Sequence, residues 1–153
     1  MSKISARLAT EPFDPAAELA ELTRRAAGDG AIVSFVGLAR DVGKAGETVA
    51  ALVLEHHPQL TARSLEDIAS DALRRFDVSQ VHVVHRCGEM LPGEPIVFAG
   101  ASSPHRRAAF EATDYLMDRL KTEAIFWKRE ESPEGSSWIE PTDADHADRS
   151  RWE

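Results

Sequence analysis

The 153-residue chain contains one cysteine, Cys87, and no long apolar run. A single cysteine excludes an internal disulfide framework and is typical of proteins from a reducing compartment. The longest apolar stretch covers residues 31–39, far short of the roughly 20 residues that cross a bilayer. The first ten residues lack the apolar segment of a signal peptide. These absences predict a cytoplasmic protein that does not enter a membrane.

Positive charge is also scarce. Lys and Arg total 18 against 26 Asp and Glu, which gives a net charge of -8. This balance argues against non-specific binding to nucleic acid or to an anionic membrane surface, because both attract basic proteins. Hydrophobic residues make up 42% of the chain, which is enough for one core. We expect a single domain over residues 1–140 and a polar, peripheral tail over residues 141–153.

Motifs for metal binding and for common catalytic chemistries are missing too. The six histidines, whose spacing matches no metal-ligand pattern, are His56, His57, His82, His85, His105 and His146. Cys87 has no C-x-x-C partner and is interpreted as a partly buried strand thiol. We find no G-x-S-x-G elbow, P-loop or dinucleotide-binding fingerprint. The sequence therefore predicts no metal centre.

The apolar patterns predict a mixture of strands and helices. Strands are predicted over residues 4–10, 31–39, 48–57, 80–87, 96–103, 124–130 and 137–140. Helices are predicted to begin near Pro15, Pro58 and Pro104, where proline suits the first helical turn. Several of the strands are joined by short Gly- and Pro-containing turns, which indicate hairpins. This order favours an α+β fold over a doubly wound parallel sheet.

The third helix starts with basic residues, although the positive end of a helix dipole disfavours them. Ser103 is the predicted N-cap and Pro104 the first helical residue, followed by His105 and Arg106. Arg106 falls on the axis of the apolar stripe and has no acidic residue four positions on. Two interpretations stay open: a bound anion such as phosphate offsets the repulsion, or Arg106 pairs with a distant carboxylate.

Two lysines follow near the end of that helix. Lys121 lies in the last turn, where a cation is favoured in any case. Lys128 lies in the next strand, and alternation places Phe126 and Glu130 on its side and Arg129 on the other. Each lysine alone is interpretable as a solvated residue. If the two converge, mutual repulsion lowers a lysine pKa and makes it a nucleophile or a general base.

Arg40 closes the strand that contains Gly37, just before a glycine-bearing loop over residues 43–47. Gly37 permits a bulge or a close backbone approach in that strand. Arg40 is a candidate site residue, and a salt bridge at the end of the strand is the alternative.

Taken together, four segments resemble the large, catalytic subunit of molybdopterin synthase. They are FVGLARD, LEHHPQLTARSLEDIA, VHRCGEMLPGEPIVFAGASSPHRRAAFEATDYLMDRLKTEAIFWKRE and PEGSSWIE. The match runs in order from about Gly30 to Glu140, and its motifs H-R-x-G, S-x-H-R, L-K-T and F-W-K-R-E form a specific combination. The resemblance implies an α/β hammerhead fold with an additional antiparallel β subdomain.

The resemblance also implies partners and a reaction. A homodimer of large subunits carries two small ubiquitin-like sulfur carriers in a heterotetramer. The C-terminal thiocarboxylate of each carrier enters a pocket of the large subunit. Sulfur then passes to cyclic pyranopterin monophosphate and forms the dithiolene of molybdopterin. The carrier supplies the sulfur, so no further cofactor is implied.

Site residues follow from the matched motifs. The resemblance makes Lys121 and Lys128 catalytic, with Lys121 at the carrier's terminal carbonyl and Lys128 as general acid and base. The residues that it assigns to substrate binding are Arg40, His105, Arg106, Arg129, Glu130, Leu38 and Ala39. Leu38 stands where many members have lysine. The rival hypothesis is a non-catalytic module that binds a ubiquitin-like tail or a phosphate-bearing ligand, with the lysines supplying only charge.

Overall fold

A computed structural model describes residues 2–43 and 46–153 of the chain. Positions 44 and 45, in the loop predicted over 43–47, lie outside the described residues. The elements follow in the order β1 (Ile4–Ala9), α1 (Pro15–Arg25), β2 (Ala31–Leu38), β3 (Ala51–His56), α2 (Leu60–Arg75), β4 (Gln80–Arg86), β5 (Gly88–Met90), β6 (Pro95–Ser103), α3 (Arg106–Glu123), β7 (Phe126–Ser132), β8 (Gly135–Ile139) and α4 (Asp143–Ser150). The predicted α+β class is confirmed.

The main sheet has the strand order β1-β4-β6-β2. β1 runs parallel to β4, and the other two pairs are antiparallel. β4 and β6 are central and buried. β6 accordingly reads as a nearly continuous apolar run, whereas β4 also carries buried His82 and His85. α2 and α3 pack on one face and bury the main core, and α1 covers the other face. β2 is therefore an edge strand of this sheet.

The small sheet is antiparallel, with the order β5-β3-β7-β8. It is the β subdomain that the sequence predicts. β5 was not predicted, because three residues are too few for a periodic signal. Gly88 begins β5 with a φ of 89°, a left-handed conformation that favours glycine. A minor core joins the two sheets through Ala39, Leu54 and Met90.

α3 begins two residues later than predicted. Ser103 is still the last residue of β6 and pairs with Ala31 of β2. Its hydroxyl donates to the Asp77 carbonyl at 2.7 Å and accepts from the His105 amide at 3.1 Å. His105 is therefore the N-cap, and its side chain makes no capping hydrogen bond. The predicted Ser103 cap is wrong, because sheet pairing holds that residue in an extended conformation.

The C-terminal tail contains a helix that packs on the main core, although none of its residues is fully buried. Thr142 and Asp145 form a reciprocal capping box at the start of α4. Beyond α4, the Trp152 indole packs edge-on against Phe76 at 5.6 Å and Tyr115 at 5.5 Å between ring centroids. One tryptophan therefore anchors an otherwise polar helix to the main core.

A partly buried ionic network joins α1 to the main sheet. Arg7 donates two hydrogen bonds of 2.7 Å to the Glu18 carboxylate. His82 Nε2 lies 2.9 Å from Glu18 Oε1, and Arg25 donates to His82 Nδ1 at 3.2 Å. A guanidinium only donates, so Nδ1 carries the lone pair of His82 and Nε2 its proton. The hydrogen bond from Arg7 lowers the pKa of Glu18, and burial lowers that of His82.

Candidate active site

A cavity of about 590 Å³ lies between the main sheet, the small sheet, α3 and α4. We call it the lysine pocket, because both predicted lysines line it. Its charged and polar lining residues are Arg40, His85, Lys121, Lys128, Glu130, Glu140, Thr142 and Asp145. Its apolar wall includes Phe35, Leu38 and Met117. No described helix is long and apolar enough to cross a membrane.

The structure brings Lys121 and Lys128 together from two different elements. Lys121 lies in the last turn of α3, and Lys128 lies in β7. Lys128 and Glu130 pair with Leu54 and Leu52 of β3, and all four residues line the pocket, which matches the predicted alternation. The electrostatic fields of both lysines act on the same two groups, His85 and Asp145. The two ammonium groups therefore share one environment.

The pocket contains carboxylates as well as cations. Arg40 and the two lysines line the same cavity as Glu130, Glu140 and Asp145. Burial opposes ionisation of Asp145, but hydrogen bonds from Thr142 and the charges of both lysines outweigh it and lower its pKa. Asp145 is therefore charged at neutral pH. Within one chain the pocket is nearly balanced in charge rather than strongly cationic.

Leu38 and Ala39 lie where the lysine pocket meets a second cavity of about 580 Å³. The pairing of β2 with β6 shifts register between Gly37 and Leu38, so the predicted bulge is present. Leu38 is 55% exposed and lines both cavities, whereas Ala39 is buried and lines the second. The Ala39 amide donates to Glu94 at 2.9 Å, which fixes this segment. Arg40 lines both cavities from the next position.

Arg129 lies on the opposite face of the small sheet from Lys128 and does not line the lysine pocket. Its guanidinium donates to Glu131 at 2.6 Å and to Glu55 at 2.7 Å. It also lies over the Trp138 ring, 5.5 Å from the centroid. These contacts hold the Arg129 side chain within the small sheet, away from the pocket that Leu38, Arg40 and Glu130 line.

His105 and Arg106 lie at the other end of α3 from the lysines. Lys121 is fifteen positions beyond Arg106, which is about 22 Å along a helix. Both side chains are exposed, and among the described residues neither makes an ion pair. Within the described part of the chain, Arg106 therefore does not pair with a distant carboxylate, which was the second interpretation. One chain does not bring this pair into the lysine pocket.

His85 also lines the pocket, a role that its place in the sequence does not indicate. It lies in β4, is 4% exposed, and its ring stacks on Phe126 with centroids 4.2 Å apart. Burial lowers the pKa of His85 to about 4, and the charges of Lys128 and Lys121 act in the same direction. The alternating pattern of β4 indicates that His85 lies on the same face as Val81 and Val83. It does not indicate that Lys121 and Lys128, from α3 and β7, lie near His85. Among residues 2–43 and 46–153, no three His, Cys, Asp or Glu side chains are arranged so that they could hold a metal ion.

Two sheets that enclose a pocket with paired lysines define an α+β protein equipped for acid–base or nucleophilic chemistry. The sequence profile of the family described as MoaE protein matches residues 8–123. The chain is 44% identical over 147 residues to the molybdopterin synthase catalytic subunit of Pseudomonas aeruginosa, covering 96% of this chain and 97% of that protein. The chain belongs to the MoaE protein family.

Solved structures agree with this assignment. The molybdopterin biosynthesis MoaE protein from Burkholderia ambifaria has a TM-score of 0.81 and 42% identity, covering 99% of this chain and 98% of that one. Molybdopterin synthase from Staphylococcus aureus has a TM-score of 0.79 and 26% identity, covering 91% and 98%. The similarity therefore extends over the whole fold, including the two sheets that enclose the lysine pocket.

Proposed function

We propose that the chain is the catalytic subunit of a molybdopterin synthase. It would transfer sulfur from the C-terminal thiocarboxylate of a small carrier protein to cyclic pyranopterin monophosphate. The observation that carries this proposal is the convergence of Lys121 and Lys128 in one pocket of a MoaE family member. The relatives' name, catalytic subunit, supports a second subunit in the assembly. The carrier would supply the sulfur, so the reaction would need no resident cofactor.

The lysines suit both halves of this reaction. Lys121 would approach the terminal carbonyl of the carrier and either polarise it or form a transient adduct as sulfur leaves. Lys128 would move protons on the substrate as its ring opens. Arg40 lies at the mouth of both cavities and would hold an anionic group by charge and hydrogen bonds. These roles need a lysine that gives up a proton, which arginine does not do.

The position of His105 and Arg106 supports a homodimer. These residues lie beside Gly30, where β2 begins, whereas Lys121 lies near Leu38, where β2 ends. β2 is an edge strand, and two copies paired antiparallel along it would place the start of one strand beside the end of the other. The partner's Arg106 would then lie near the lysine pocket of the first copy.

Exposed apolar side chains along the same edge support this arrangement. Phe35 and Val36 of β2 are partly exposed, and Phe110 of α3 is 56% exposed. Phe110 lies one turn before Thr113, whose hydroxyl donates to Val33 of β2 at 3.2 Å. A second copy on this edge would cover these side chains and supply the missing strand partner.

A single-turnover assay with thiocarboxylated carrier and cyclic pyranopterin monophosphate tests the activity. We expect dithiolene product from the wild type, a severe loss in Lys121→Arg and Lys128→Arg, and no loss in the matched control Lys3→Arg, which lies outside the pocket. If the wild type binds carrier without forming product, the chain is a binding module. If both pocket variants keep full turnover, the lysines supply only charge.

Mixing two inactive variants tests the shared site. Arg106→Ala and Lys121→Arg would each be inactive alone. After subunit exchange, half of the dimers are hybrids, and each hybrid has one site with both residues intact. We therefore expect the mixture to recover about a quarter of wild-type turnover. If no activity returns although hybrids form, the two residues do not act together across a dimer.

A further inference from the structure

His85 has a fixed protonation pattern. Its Nδ1 lies 2.9 Å from the backbone carbonyl oxygen of Arg86. A carbonyl only accepts hydrogen bonds, so Nδ1 carries the ring proton and donates it. In the neutral ring, the lone pair then lies on Nε2, at the end of the side chain remote from the β4 backbone. The strand backbone thus sets the tautomer and orients the acceptor away from the strand.

His85 and Lys128 both line the lysine pocket. The imidazole stacks on Phe126 with an angle of 25° between the rings, which restricts rotation of the ring. Lys128 is two residues beyond Phe126 on the same face of β7. Of the two lysine charges that act on His85, that of Lys128 has the larger effect. Stacking and strand geometry therefore place the imidazole beside the Lys128 side chain.

The other charged groups around the pocket explain why an imidazole suits this place. Arg40 and Lys121 are the other cations, and Glu130, Glu140 and Asp145 are the carboxylates. A further carboxylate beside Lys128 would orient its ammonium group but would cancel its charge toward an anionic substrate. A neutral imidazole provides a hydrogen-bond acceptor without adding charge. With a pKa of about 4, His85 stays neutral throughout the physiological range.

We propose that His85 is a positioning residue that accepts a hydrogen bond from Lys128 at Nε2 and holds its ammonium group in the pocket. The proposal rests on the proposed function for its catalytic consequence, because an oriented Lys128 would transfer protons to a bound substrate. The hydrogen bond itself is independent of that function.

Nitrogen-15 NMR of the histidine rings tests the hydrogen bond without any turnover. We expect His85 to remain a neutral Nδ1–H tautomer between about pH 5.5 and pH 8. In Lys128→Met, the Nε2 resonance should shift and the midpoint of the His85 titration should rise, because a nearby cation is removed. Lys121→Met is the matched control and should have the smaller effect. An Nε2–H tautomer, or equal responses to the two variants, would overturn the proposal.

Paired substitutions at His85 test the positioning role. His85→Gln keeps an acceptor near the position of Nε2, whereas His85→Phe keeps the stacking on Phe126 and removes the acceptor. We expect His85→Phe to lower kcat by about tenfold or more, with carrier binding unchanged, and His85→Gln to restore most of it. Equal losses in the two variants would show a packing role only and refute positioning. Thermal unfolding of both variants identifies any loss through misfolding.

The two sets of measurements separate failure of this proposal from failure of the proposed function. If the wild type forms no dithiolene product, the function is wrong, but the NMR experiment still decides whether Lys128 bonds to His85. If the wild type is active and His85→Phe keeps its full kcat, the positioning role is wrong while the function stands.

Discussion

Replacing Trp152 with alanine tests whether α4 is a fixed wall of the lysine pocket. The indole packs edge-on against Phe76 and Tyr115, and its Nε1–H donates to Asp118 at 2.7 Å. Each edge-on ring pair contributes about 0.5–1.5 kcal/mol, and a hydrogen bond to a carboxylate about 1.5 kcal/mol. Because Trp152 is only partly buried, we take the lower end, about 2.5 kcal/mol, as its contribution to holding α4 in place.

The loss of stability in Trp152→Ala should be confined to α4 and should leave the main core unaffected. α4 has eight residues, and isolated helices shorter than about 12 residues are marginal in water. In Trp152→Ala, hydrogen-exchange protection of the α4 amides should therefore fall by about 70-fold, while β4 and β6 keep theirs. Trp152→Phe keeps the ring contacts and loses only the Nε1–H bond, so its loss should be about tenfold.

Two outcomes would refute this reasoning. If Trp152→Ala leaves α4 protected, other contacts hold the helix, and the indole is not its anchor. If protection falls equally in α4 and in the central strands, α4 does not open independently of the core. In the expected outcome, the pocket wall formed by Thr142 and Asp145 becomes mobile, and affinity for the carrier tail changes with it.

Four further predictions concern charge. Burial lowers the pKa of both His82 and His85, so the unfolded chain takes up these protons first, and the free energy of unfolding should fall as pH drops below about 6.5. His82→Gln should remove its own share of that slope in urea titrations and leave the share of His85. The lowered pKa of Glu18 adds a further loss below about pH 4.5, which Glu18→Gln should reduce. Asp145→Asn keeps an oxygen that caps α4 but removes one negative charge from the lysine pocket. An anionic carrier-tail peptide should therefore bind about threefold more tightly, as measured by calorimetry. Weaker binding would contradict this prediction. Arg129→Gln should leave turnover within about twofold, because its guanidinium faces away from the pocket, and a severe loss would place Arg129 in the reaction.

Local periodicity predicted the elements with the strongest patterns. Alternation in β7 placed Lys128 and Glu130 on one face and Arg129 on the other, and the structure has the same arrangement. Of the apolar residues that recur at helical spacing in α3, Ala109, Leu116 and Leu120 are buried, whereas Phe110 is 56% exposed. The periodicity of apolar residues identifies which side chains share a face of a helix or strand. Whether that face is buried depends on elements that are distant in the sequence.

Features that depend on contacts distant in sequence were missed. The spacing of Thr142 and Asp145 indicates the start of a helix. The residues that follow are polar, however, so no apolar stripe predicts that α4 packs on the core. Its docking depends on Trp152, which meets residues from α2 and α3. His85 was visible in an alternating strand, but its environment comes from α3 and β7. In each case the decisive neighbours are more than 30 positions away, beyond any local pattern.

The length of α3 determines which cations of one chain reach the lysine pocket. Within one chain, the lysine pocket has three cations, Arg40 and the two lysines, against three carboxylates, and Arg106 lies about 22 Å away along the helix. In the proposed dimer, the partner's Arg106 would enter this balanced pocket and make it net positive. The full positive field would then exist only in the assembled protein, where an anionic carrier tail and a phosphate-bearing substrate offset it. A chain with a net charge of -8 would thus gather cations at the site only on assembly. The mutual repulsion of these cations would then not destabilise the folded monomer.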